Sequence, residues 1–189
     1  DSTMKLICGL LWLCFGLVFV FIFVDFNLIS SYKKDYHELD HAVHTDHISG
    51  LANRKSIDEF IEQHRFECLP CVTLTPTNIQ DINNACGRSA GDDAIREFSN
   101  ILMMSSVGLC SFVGRNDGLN FLAFFEKTAS KDDIDKFLTN VEGRIASHNI
   151  INPQKAVSYK YGTAYNEGEN AKTITDMIKI SAQRMQKED

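Results

Sequence analysis

Three groups of residues in this sequence have the types and spacing for chemistry. Cys68-Leu69-Pro70-Cys71 has the CxxC spacing of metal and redox sites. It lacks the second CxxC of a zinc site, and a redox pair belongs at a helix N-terminus, not at the edge of an apparent strand. The two thiols therefore read as ordinary buried cysteines. His37, His41 and His44 recur at i, i+4 and i+7, which puts them on one helical stripe. Such a stripe suits a metal or pH-sensing site, and solvated helix histidines show the same pattern more often. The third group is Arg115-Asn116-Asp117-Gly118-Leu119-Asn120-Phe121. Residues 107–115 and 119–125 read as strands. Asn116-Asp117-Gly118 between them reads as the turn, because Gly, and to a lesser degree Asn and Asp, tolerate positive φ in tight hairpins.

The elements around these groups follow from composition and periodicity. The chain has 189 residues and a net charge of -6, room for one medium domain plus an attachment. Its pI of about 5.5 argues against a nucleic-acid surface, which needs a basic footprint. The six cysteines do not form the dense framework of a small secreted domain. Residues 6–24 are apolar and uncharged, close to the ~20 residues a helix needs to cross a bilayer. A signal peptide fits less well, since the apolar core is long and no Ala-x-Ala-like cleavage site follows. Lys33 and Lys34 beyond the run, against Lys5 before it, bias the C-terminal part toward the cytoplasm. The expected organisation is a transmembrane helix over 5–29, a linker helix over 30–45 and a globular domain over 46–189. Ile29, Tyr32, Tyr36, Leu39, Val43 and Asp46 form a stripe along the linker that two parallel copies would pair as a brief coiled coil.

In the globular part, Gly50 permits a chain reversal and Asn53 can cap a helix running through Ile57, Phe60 and Ile61. Residues 66–75 read as a buried strand and 78–86 as a short helix. A longer helix opens at Gly91-Asp92, with Asp92 and Asp93 at its positive end. After the hairpin come a helix over 131–149, a strand over 156–165 and a helix over 173–185. This order predicts an α+β domain, an antiparallel-rich sheet covered by helices. There is no internal repeat.

Three stretches resemble the GGDEF family of diguanylate cyclases. Asp46-His47-Ile48-Ser49-Gly50-Leu51-Ala52-Asn53-Arg54-Lys55 is similar to the family's Asp-x-Leu-Thr-Gly-Leu-x-Asn-Arg-Arg motif. Ile48, Ser49 and Lys55 are its departures. Residues 82–92 resemble Ile-Asn-Asp-x-x-Gly-His-x-x-Gly-Asp with its spacing intact, Asn84 standing for Asp and Arg88 for His. Arg115 to Phe121 resembles the Arg-x-Gly-Gly-Asp/Glu-Glu-Phe hairpin. The resemblance covers about residues 46–186. It implies a ferredoxin-like, nucleotidyl-cyclase-like sheet, and it implies that Asn83 and Asp92 hold the guanine base, a pairing that suits the O6 and N1/N2 edges.

The same register removes the chemistry. Active members join two GTP molecules across a dimer, with divalent cations neutralising charge. Their cations take oxygen ligands from a strand-end Asp and from the acidic pair of the hairpin. Here Thr75 falls at the strand-end Asp, and Asp117 and Gly118 hold the two Gly positions. Leu119 and Asn120 replace the acidic pair, and Phe121 is retained. The inhibitory Arg-x-x-Asp falls at Gly108 to Ser111, and a phosphate-facing Lys falls at Gln183. The reading that follows is a membrane-anchored degenerate GGDEF domain in cyclic di-GMP-type signalling, regulatory or dimerising, without cyclase activity. The alternatives are a guanine-nucleotide sensor or a weakly active cyclase. No cofactor is expected, Mg²⁺ being the requirement of an active cyclase. The expected partners are the inner membrane, a second copy or another GGDEF protein, and GTP or another guanine nucleotide.

Overall fold

The computed structural model describes residues 2–166 and 168–187, with no account of the side chains of residues 6, 30–42 and 187. The chain divides into two compact units, residues 1–43 and 44–189. Helix α1 (Ser2–His44) is 43 residues long, roughly 65 Å at the usual rise per residue. Its Ser2–Ile29 portion is long and apolar enough to cross a membrane, and none of it is buried against protein. A signal sequence would meet the same criterion. The stripe of Tyr32, Tyr36 and Leu39, and the side chains of His37 and His41, lie outside the described residues.

In the second unit the elements are α2 (Arg54–Gln63), β1 (Cys71–Pro76), α3 (Ile79–Cys86), α4 (Arg88–Ser106), β2 (Cys110–Asp117), β3 (Asn120–Phe125), α5 (Lys131–Ile151), a 3₁₀ turn (Pro153–Lys155), β4 (Tyr159–Ala164) and α6 (Ile174–Lys187). The strands form one sheet in the order β2-β3-β1-β4, every pair antiparallel. Successive side chains of a strand point to opposite faces, so each strand feeds two cores. Val72, Leu74, Phe121, Ala123 and Phe125 pack with Phe98 and Leu102 of α4 and Phe137 and Val141 of α5. Cys71, Leu122 and Phe124 face the other way, onto Ile57 of α2 and Ile174 and Met177 of α6. This is the α+β architecture expected from the sequence.

Several boundaries move, each for a local reason. The strand expected over 66–75 is Cys71–Pro76. Helix α2 ends in a turn whose Glu67 amide bonds His64 O at 2.9 Å, and Phe66 is 83% exposed. Pro76 joins the strand because the ladder continues from the next residue, with Thr77 N donating to Ser158 O. The strand expected from 107 begins at Cys110, since α4 runs on to Ser106 and Gly108 turns the chain at φ 73. Helix α4 opens at Arg88, earlier than Gly91, so Asp92 and Asp93 sit beyond its first turn and neither is a cap. The strand expected over 156–165 shortens to Tyr159–Ala164 because side chains hold the backbone before it. Asn149 Oδ1 accepts from Val157 N and Asn78 Oδ1 from Ser158 N.

Candidate functional site

The β2–β3 hairpin closes through Gly118 and Leu119, with Asp117 paired to Asn120 across the ladder. Gly118 has φ +45 and no non-glycine residue among those described has positive φ, the pattern of a type II′ turn. The turn therefore lies one residue later than Asn116-Asp117-Gly118, and Asp117 ends a strand. Two anchors fix this register. Phe121 is fully buried, its ring centroid 5.2 Å from that of Phe98. Arg115 donates from Nη1 to Asp46 Oδ1 at 2.7 Å and from Nε to Gly118 O at 2.8 Å. Asp46 Oδ1 also accepts the Ser49 amide at 2.8 Å. Burial alone would raise the Asp46 carboxyl, but the Ser49 amide and the Arg115 guanidinium outweigh it and hold it below its ordinary value. Arg115 N also bonds Ala52 O at 2.8 Å, so the segment 46–52 is laced to the hairpin through backbone as well as side chain.

Where β1 ends beside the hairpin, three side chains form a chain of hydrogen bonds. Thr75 Oγ1 donates to Asn120 Oδ1 at 2.9 Å, and Asn120 Nδ2 donates to Asp117 Oδ1 at 2.8 Å. From α2, Arg54 Nη1 stands 3.9 Å from Asp117 Oδ2 and its Nε 3.9 Å from Asp58. Leu119 is half-buried and packs on the core of the α4–α5 face. A divalent hard cation needs several oxygen ligands with negative charge among them. Thr75, Leu119 and Asn120 supply no charge, and the Thr75 hydroxyl and the Asn120 amide are engaged with each other and with Asp117, so the residues present do not fit one. Among the described residues no group of three or more His, Cys, Asp or Glu is placed to hold a metal ion. An open cleft of about 410 Å³ lies beside the hairpin, lined by Asp46, Asn53, Arg54, Lys55, Arg115 and Asp117 among others.

Asn83 and Asp92 come from adjoining helices. Asn83 lies against Gly91 so closely that a Cβ there would be 2.1 Å from Asn83 Oδ1. This contact explains why the residue before Asp92 is glycine. Asn83 Oδ1 is enclosed and has no hydrogen-bond partner, while Asp92 is half-buried. The CxxC pair gives no site among the described residues, and of the histidine stripe only the His44 side chain is described. Cys71 is buried beside Ser181, with its thiol pushed up to about 12 by burial, and Cys68 Sγ reaches Ala171 O at 3.3 Å. His44 Nε2 is 3.4 Å from Glu59. Sequence reasoning missed the Asp46–Arg115 pair and the approach of Arg54 to Asp117. Both join residues far apart in sequence that no periodicity links.

Fold and site define an antiparallel α+β domain with the hairpin motif at the β2–β3 turn, the 46–55 segment leading into α2 and the 82–92 segment spanning α3 and α4. The family model described as "Diguanylate cyclase, GGDEF domain" matches residues 43–189. The chain belongs to this family. Its fold is similar to the GGDEF domain of DgcB from Caulobacter crescentus, solved in complex with c-di-GMP, at 18% identity and TM-score 0.63 over 76% of this chain and 88% of that one. It is also similar to the diguanylate cyclase SiaD of Pseudomonas aeruginosa, solved with its activator SiaC, at 16% identity and TM-score 0.61 over 85% of this chain. A third likeness is to the S helix-GGDEF-EAL portion of Vibrio cholerae LapD, bound to c-di-GMP, at 17% identity and TM-score 0.64 over 84% of this chain. The aligned part is 65% of the SiaD chain and 37% of the LapD chain. At these identities the likeness is one of fold. No curated protein matches the sequence.

Proposed function

We propose that this chain is a regulatory GGDEF module of cyclic di-GMP signalling, held to the inner membrane by residues 5–29, that makes no cyclic di-GMP itself. Its domain, over 46–189, sits on the cytoplasmic face behind the linker of residues 30–45. The observation that carries this reading is the hydrogen bond from Thr75 to Asn120. Two positions that must both present carboxylates to a cation are neutral and satisfied by each other. Without the cation, nothing offsets the charge that develops as one nucleotide's hydroxyl attacks the other's phosphorus. Purified full-length protein given GTP and Mg²⁺ is expected to form no cyclic di-GMP above a hairpin-mutant control. Product above that control overturns the proposal. With synthesis gone, the fold remains as a pairing surface for a second copy or another GGDEF protein. Cross-linking in membranes tests this, and recovery of monomer alone counts against it.

A second reading, that the domain receives a guanine nucleotide, is supported by Asn83 and the half-buried Asp92 standing on the adjoining helices α3 and α4. Guanine offers donors at N1 and N2 to just such an acceptor and carboxylate. Because Asp92 is not spent as a helix cap, its carboxylate is available to that edge. Calorimetry with GTP, GDP and cyclic di-GMP, repeated on Asp92→Ala, tests it. Heat with none of the three rejects it.

A further inference from the structure

One row of side chains crosses all four strands where β1 meets the hairpin. Asp117 of β2 is paired with Asn120 of β3, Asn120 is bonded to Thr75 of β1, and Thr75 stands directly opposite Lys160 of β4. Directly opposite residues of an antiparallel pair point to the same face, with their Cβ atoms about 5 Å apart. Lys160 therefore flanks Thr75 on one side as Asn120 does on the other. Thr75 and Asn120 are the two ladder positions from which carboxylates would hold a cation, so an ammonium is tethered beside the place that cation would take. Lys160 and Thr75 are both half-buried, which limits the screening of that charge by water. The one carboxylate of the row, Asp117, is three strand spacings from Lys160, roughly 14 Å at the usual spacing. The other cations of the cleft act at the Asp117 end and lie against carboxylates there, Arg54 with Asp117 and Asp58, Lys55 with Glu59 and Arg115 with Asp46. A divalent cation entering the row at Thr75 comes within reach of the Lys160 ammonium, and like charges at that range repel.

We infer that Lys160 keeps divalent cations out of this row, its ammonium taking their electrostatic place beside the end of β1. This reading rests on the proposal that the chain makes no cyclic di-GMP for want of a cation, and it goes further. Neutral Thr75 and Asn120 fail to attract a cation, whereas Lys160 repels one. A carboxylate returned to position 75 meets an ammonium already there, and forms a cross-strand ion pair with it before it ligates a metal.

The experiment measures Mn²⁺ binding, by electron paramagnetic resonance, and thermal unfolding on the full-length chain in phosphatidylcholine nanodiscs. Wild type and Lys160→Thr are expected to bind no Mn²⁺ at the row. The pair Thr75→Asp, Asn120→Glu is expected to bind it weakly, and adding Lys160→Thr to that pair tightens binding about tenfold or more, the effect of removing one like charge at close range. In EDTA, Thr75→Asp alone is expected to raise the melting temperature beside Lys160 and to lower it in Lys160→Thr, a readout that needs no metal. Equal Mn²⁺ affinity with and without Lys160, or no binding by any variant, overturns the inference and leaves the proposal of a non-synthesising domain standing. A melting shift from Thr75→Asp that is the same in both backgrounds overturns it as well. Mn²⁺ bound by wild type and lost in Asp117→Asn overturns the inference and that proposal together.

Discussion

Replacing Arg115 with alanine would cut, in one step, the bond to Asp46 and the bond to Gly118 O, and would leave a carboxylate short of its partner. The two side chains are only 10% and 20% exposed, so the pair is screened little by water. A loss of about 2 kcal/mol in urea unfolding is expected, the range for hydrogen bonds to charged groups. The acid side of the stability profile should report the same contact. Asp46 is held below its ordinary value, so its contribution is fully present above about pH 4 and is lost as pH falls through the lower, folded value. Asp46→Asn should flatten that part of a melting-temperature profile measured between neutral pH and pH 2. At Gly91, alanine would place its Cβ 2.1 Å from Asn83 Oδ1 and drive the amide out of its seat. A cost of about 1–3 kcal/mol in chemical unfolding is expected for such overpacking, together with loss of any guanine binding measured by calorimetry.

At the level of elements, the tightest joint is between β4 and α6. A Cβ on Gly162 would lie 2.0 Å from Ser181 O and 2.5 Å from Met185 N, both backbone atoms that cannot swing aside. Gly162→Ala should therefore lift α6 off the sheet and destabilise by roughly 3 kcal/mol or more, read from thermal unfolding. The order and type of the elements were legible in the sequence because apolar residues recur at helical or strand spacing and Asn53 marks a helix start. The cap is there, Asn53 Oδ1 accepting from Ser56 N at 3.1 Å. What was not legible was decided by partners distant in sequence. Phe66 looks like a strand residue and ends up exposed because no strand pairs with it. Gly91 looks like the opening of a helix, yet it is a contact point for Asn83 inside a helix that starts earlier. The hairpin motif could be placed from Arg115 and Phe121 alone. That Thr75 bonds Asn120 could not, because it needs β1 and β3 side by side in a known register.

At the scale of the molecule, the unit of residues 44–189 includes the last residue of α1, His44, and its contacts are specific. His44 O accepts from Asn53 N at 3.0 Å and from Ser56 Oγ at 2.8 Å. A fragment starting at residue 43 should unfold cooperatively. One starting at residue 47 should be less stable by about 2 kcal/mol or more in urea, having lost these two bonds and the Asp46 carboxylate. The bond between Thr75 and Asn120 has a consequence for the whole chain's relation to its ionic surroundings. A hairpin that presents carboxylates to a cation repels itself whenever the cation leaves, so its rigidity follows the free Mg²⁺ concentration. Here the two positions hold each other with neutral groups. Chelation should leave the melting temperature where it was, whereas the triple change Thr75→Asp, Leu119→Asp, Asn120→Glu should make it rise and fall with Mg²⁺. The present residues give the domain a mechanical constancy that a cation-dependent hairpin lacks.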